Sequence, residues 1–138
     1  MRRLLTITIT AVIALFLFNP MASAGSPHFV GGITVERSGD SLTVSGKEAG
    51  LGNEEQVHIV VSATALCING GGKHPKAVNK GSFSDEGDFP VQNGKANFSL
   101  TLTATFQPDC SPPMSVAWTD VTVEDTTNGI SQSFPGTF

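Results

Sequence analysis

The stretch from Ala96 to Phe106 reads ANFSLTLTATF. Ala96, Phe98, Leu100, Leu102, Ala104 and Phe106 fall on one phase of a two-residue repeat. Asn97, Ser99, Thr101, Thr103 and Thr105 fall on the other. Successive side chains of an extended chain point to opposite faces. One face is therefore buried and one wet, as in an antiparallel sheet. Val57 to Cys67 repeats the pattern: Val57, Ile59, Val61, Ala63, Ala65 and Cys67 take the core phase. His58, Val60, Ser62, Thr64 and Leu66 take the other.

Shorter strands flank these two. Ile33 and Val35 alternate with Thr34 and Glu36, and Leu42 and Val44 with Ser41, Thr43 and Ser45. Ser38-Gly39-Asp40 between them signals a turn, so the two form a hairpin. Phe89 to Gln92 is separated from Lys95 by Asn93-Gly94, a dipeptide suited to a type I′ turn. Met114, Val116 and Trp118 share a phase that Val121 and Val123 do not, a slip near Thr119-Asp120 that a β-bulge absorbs. Ile130 and Phe134 mark a last strand before Pro135-Gly136, and no convincing helical periodicity follows the N-terminal segment. The reading is all-β, an antiparallel immunoglobulin-like β-sandwich of about 7–8 strands forming a single domain over residues 25–138. Trp118 follows both cysteines and Tyr is absent, so antibody hallmarks are missing and the term describes architecture alone.

Three stretches do not read as strands. Lys47–Glu55 is a Gly-rich connection, Ile68–Lys80 a long polar loop after Cys67, and Gln107–Pro113 a rigid loop around Cys110. Loops at the end of a sandwich are where binding function concentrates.

The first 24 residues have a different character. Arg2 and Arg3 precede an apolar run to Phe18, Asn19-Pro20 breaks it, and Ala22-Ser23-Ala24 offers a small-residue cleavage site. That is the layout of a signal peptide over residues 1–24. The apolar run of about 15 residues is short of the ~20 a membrane anchor needs. The expectation is a secreted chain with no membrane span in its mature form. Arg2 and Arg3 leave with the peptide, so six basic residues then stand against twelve acidic ones. This balance disfavours nucleic acid as a partner. Cys67 and Cys110 are the only cysteines. In an exported chain they read as one disulfide, and nothing resembles a CxxC redox motif or fills a zinc shell.

Few residues carry candidate chemistry. Asn69, Lys73, His74 and Lys76, in the run NGGGKHPK, form a candidate binding loop: Gly amides can cradle an anion and basic groups stand nearby. The plainer reading is a solvated loop whose lysines serve solubility. Asp85, Glu86 and Asp88 group three carboxylates in a way that suits calcium, against the plainer reading of an acidic turn. Trp118 is assigned to the core, and Asn97-Phe98-Ser99 is a formal glycosylation acceptor on the wet phase. No HExxH, GxSxG or cofactor motif occurs, so no catalytic residue and no cofactor is expected.

Several segments are familiar in order. Pro27-His28-Phe29, Gly46-Lys47-Glu48-Ala49-Gly50-Leu51-Gly52, Cys67-Ile68-Asn69-Gly70-Gly71-Gly72, Cys110-Ser111-Pro112-Pro113, Asp125-Thr126-Thr127 and Phe134-Pro135-Gly136-Thr137-Phe138 together resemble small secreted proteins of actinobacteria without established activity. That resemblance implies address and family and carries no catalytic residue. A second one is to the enediyne-binding apoproteins. It rests on Leu42, Val44 and Gly46 followed by Gly50-Leu51, on the Asn93-Gly94 hairpin and on Ser99-Leu100-Thr101. It implies an exported sandwich with a ligand cleft, and this chain departs from it in having two cysteines where that family has four.

The expected function is a secreted, non-enzymatic module that presents loops to an extracellular protein or a small ligand. One alternative is a carrier of a small apolar ligand, with Phe83, Phe89 and Pro112-Pro113 as walls. Another is an extracellular hydrolase using His28 or His74.

Overall fold

The computed structural model describes residues 25–69 and 77–138. Seven strands form: β1 His28–Ser38, β2 Ser41–Ala49, β3 Gln56–Ile68, β4 Ala77–Pro90, β5 Ala96–Thr103, β6 Ser115–Asp125 and β7 Ile130–Phe134. They build a three-stranded sheet of order β1-β2-β5 and a four-stranded sheet of order β4-β3-β6-β7, antiparallel throughout. No helix among the described residues is long and apolar enough to cross a membrane.

The alternation expected from Ala96 to Phe106 holds. Along β5 every second residue is buried, and Ala104 and Phe106 continue the series past the strand's end. Leu102 pairs with Leu42 and Leu100 with Val44 on the inner face. On the outer face the hydroxyls of Thr43 and Thr101 meet at 2.9 Å, a cross-strand pair of the kind that fixes register. Val57, Ile59, Val61, Trp118, Val121 and Val123 line the facing sheet, all fully buried. Each such aliphatic side chain contributes about 1.5–3 kcal/mol relative to exposure.

Both expected turns form, but only the one at Gly39 closes a hairpin of paired strands: Asn93-Gly94 carries the chain from β4 to β5 in the facing sheet, and the two strands do not pair. Asn93 and Gly94 have φ of 53° and 72°, as a type I′ turn requires, and Gln92 bridges Lys95. The slip in β6 is a bulge: Ser62 pairs with Thr122 and Thr64 with Thr119, leaving Ala63 opposite Asp120 and Val121. Asp120 takes a φ of 53° there, which turns Val121 back into the core beside Trp118.

The structure corrects three boundaries. β2 runs on to Ala49, so the connection expected from Lys47 starts at Gly50. β4 begins at Ala77, so the loop expected to reach Lys80 ends sooner, and its positions 70–76 lie outside the described residues. Asp85-Glu86-Gly87-Asp88 is the middle of β4, paired with His58 to Val61, and is not a turn. Gly, Asp and Ser have poor strand propensity, but pairing with the long apolar β3 decides the conformation. β4 is also a sheet edge, where charged side chains oppose pairing with another chain.

Candidate functional site

The two ends of the sandwich differ. At one end Cys67 and Cys110 form a disulfide with a Cα–Cα separation of 5.7 Å. Cys67 sits on the core face at the end of β3, as its phase required. The bridge holds the Gln107–Pro113 segment against that end of the core. Between this segment and β5 lies a groove of about 490 Å³, whose lining includes Asp40, Thr103, Thr105, Gln107, Asp109 and Ser111. Arg37 Nη1 donates to the Val116 carbonyl at 2.6 Å and ties the edge strand β1 to β6 at the same end. Asn69 is exposed one residue beyond β3. Lys73, His74 and Lys76 lie outside the described residues, so the structure places only Asn69 of the candidate loop.

The acidic candidates separate. Alternation along β4 sends Glu86 and Asp88 to the outer face and Asp85 to the other. On the outer face the His58 ring lies between two of them. Its Nδ1 is 2.7 Å from Asp88 Oδ1 and its Nε2 is 3.1 Å from Glu86 Oε2. The bond to Asp88 and then that to Glu86 hold the imidazole above its ordinary pKa. In its protonated form both ring nitrogens donate, and the two carboxylates hold the imidazolium between them. Among the described residues no three His, Cys, Asp or Glu side chains gather in a way that could hold a metal ion.

His28 Nδ1 lies 2.7 Å from the Ser26 carbonyl near the start of the described chain. Trp118 is fully buried, in the core to which its phase assigned it. Phe83 meets Trp118 and Phe106 edge to face at 5.8 and 6.2 Å, and Phe89 meets Phe98 at 6.2 Å. The two rings proposed as cleft walls thus pack against the core.

At the end opposite the disulfide, β1 loses register with β2 between Val30 and Thr34. Gly31 and Gly32 take φ of 73° and 77°, a backbone that residues with a Cβ rarely adopt. Beside them opens a groove of about 550 Å³, lined among others by Val30, Ala49, Lys47, Lys95 and Asn97. None of the candidate site residues lies among them. The signal was present, since Gly31-Gly32 interrupts the alternation that Ile33 and Val35 resume.

Protein-family models, curated proteins and solved structures offer no match to this chain. The resemblances to secreted actinobacterial proteins and to the enediyne-binding apoproteins therefore gain no support beyond the residues quoted for them.

Proposed function

We propose that the chain is exported, loses residues 1–24 and works outside the cell as a non-enzymatic binding module of immunoglobulin-like architecture. Lettered in chain order, the sheets read A-B-E and D-C-F-G, with the B–E and C–F pairings of an immunoglobulin-like sandwich. The observation that carries the binding reading is the Cys67–Cys110 bridge, which fixes the Gln107–Pro113 segment at the end of β3 from which the Asn69–Lys76 run departs. A covalently held segment lowers the ordering entropy that recognition costs.

Intact mass of the protein recovered from culture medium tests export, with a chain starting at Gly25 expected. Crosslinking and pull-down from the wall and medium of the producing cell test the binding surface. Wild type should retain a partner that a Lys73→Glu, Lys76→Glu variant loses. No enrichment across several growth conditions would overturn the reading.

The small-ligand carrier is favoured by a different observation, the groove beside Gly31-Gly32 with Val30 and Ala49 in its wall. Native extraction followed by mass spectrometry should then release a bound molecule, and a clean apo mass would count against it.

A further inference from the structure

Two carboxyl groups occupy positions where the apolar phase of their strands calls for hydrocarbon. Glu48 continues the series Leu42, Val44, Gly46 on β2, and Asp125 continues Val121, Val123 on β6. Both side chains are fully buried. They come from opposite sheets, both on core-facing phases at the end away from the disulfide, and Asp125 is near enough to act on Glu48.

Their surroundings differ. Asp125 Oδ1 accepts from the backbone N–H of Thr127 at 2.8 Å and of Asn128 at 3.3 Å. Its Oδ2 accepts from Asn128 Nδ2 at 2.6 Å, and the same amide donates to Glu54 Oε2 at 3.1 Å. Neither Glu48 oxygen has a donor. Its ladder neighbours are Phe29 on β1 and Ala96 on β5, whose side chains have nothing to donate. The titratable groups facing it are Asp125 on β6 and Glu54 in the β2–β3 connection, and both are acids.

Two ionised carboxyls in contact are acceptors only and repel each other in a buried site. A single proton removes both problems. Asp125 already accepts from three donors and Glu48 from none, so the proton belongs on Glu48, whose O–H then donates to Asp125. We propose that Glu48 and Asp125 form a carboxylic acid–carboxylate clasp that joins the two sheets at the end opposite the disulfide and releases when its proton is lost. Burial, then the bond to Asp125 and the charges of Asp125 and Glu54, push the Glu48 carboxyl from 4.5 up to about 8. Loss of the proton would leave two adjacent buried charges, relieved by admitting water between the sheets. The clasp also anchors the turn after β6, where Gly129 N–H bonds the Asp125 carbonyl at 2.9 Å. It depends on neither binding reading above.

A carboxyl-carbon NMR titration of the full chain, labelled at glutamate, from about pH 4 to about pH 10 tests this. One resonance, identified by its absence in Glu48→Gln, should titrate near 8. The unfolding midpoint of wild type should fall as pH rises over that range. Glu48→Gln, whose amide can donate without titrating, should show a flatter profile. Calcium or EDTA should leave the wild-type midpoint unchanged. Titration of Glu48 in the ordinary carboxyl range would overturn the clasp. A calcium-dependent rise in midpoint that Glu48→Gln abolishes would also overturn it, by making the pair a cation site. Should Glu48→Gln fail to fold, titration of the wild type decides alone, its resonances assigned through the backbone.

Discussion

At the scale of single residues, the ionisable groups set the pH behaviour of the fold. The His58 imidazole is raised above 6.5 by Asp88 and then by Glu86. A base whose folded pKa exceeds its unfolded one contributes fully below the unfolded value, and that contribution fades as pH climbs through the raised value. Glu48 acts in the same direction. Its folded pKa of about 8 against 4.5 means that the native state holds a proton the unfolded chain has released, so stability falls across that interval. A urea midpoint higher at about pH 5.5 than at about pH 8.5, followed by the emission of Trp118, is the expected outcome. Proton NMR should place the His58 midpoint above 6.5, and Asp88→Asn should move it back more than Glu86→Gln does. Packing is as restrictive as charge. A Cβ on Gly46 would lie 2.9 Å from Phe98 Cζ and 3.0 Å from Ile33 Cγ1. Phe98 is buried between Phe29 and Phe89 and cannot yield freely. Gly46→Ala should therefore cost about 1–3 kcal/mol by urea unfolding.

At the scale of elements, the bulge in β6 shows how one backbone angle places several side chains. Trp118 and Val121 are three apart and would point to opposite faces of a regular strand, yet both are fully buried. The extra residue at Asp120, with φ 53°, makes this possible. Asp120→Gly should leave stability unchanged or improve it. Asp120→Val should lose about 1–2 kcal/mol, because a β-branched residue tolerates positive φ poorly. Chemical denaturation of the pair checks both signs. The bulge was legible because the apolar phase of β6 slips by one residue. β4 was not, because Gly81, Asp85, Gly87 and Asp88 argue against a strand until β3 is present to pair with them. Only Phe83 and Phe89, an even six residues apart, hinted at its inner face. Glu48 and Asp125 continue the apolar phases of Leu42 and Val44 and of Val121 and Val123, but Glu48 falls in the stretch expected to be a connection and Asp125 lies past the last apolar residue of its series. Charge masked them, because an acid on a core phase takes its meaning from a partner on another strand, and sequence spacing does not bring 48 and 125 together. Similarly, the cleft walls assigned to Phe83 and Phe89 ignored the rings awaiting them, Trp118, Phe106 and Phe98.

At the scale of the molecule, two sheets enclose one apolar core, and the disulfide is its only covalent closure among the described residues. The bridge links residues 43 apart in sequence. Closing a loop of that length in the unfolded chain corresponds to about 4 kcal/mol in the chain-entropy treatment. Replacing Cys67 and Cys110 with Ala keeps the buried position of Cys67 apolar, so the change acts chiefly by freeing the unfolded chain. The variant should remain folded, since Leu42, Ile59, Val61, Leu102 and Trp118 still fill the interior. Its Tm should drop by on the order of 20 °C. Its urea m value should rise, because an unfolded chain without the crosslink exposes more surface. The two ends of the sandwich should respond differently in amide exchange. Protection should fall at Ala104, whose N–H bonds the Asp40 carbonyl at 2.9 Å, and at Met114, bonded to Ser111 at 2.9 Å, because the bridge holds the segment between them. Leu51, bonded to the Gly94 carbonyl at 3.0 Å at the other end, should keep the protection that the lower global stability still permits. Equal loss at both ends would mean that the bridge contributes to the core as a whole and does not specifically order the loops beside Cys110, and the binding surface would then have to be sought elsewhere on the sandwich.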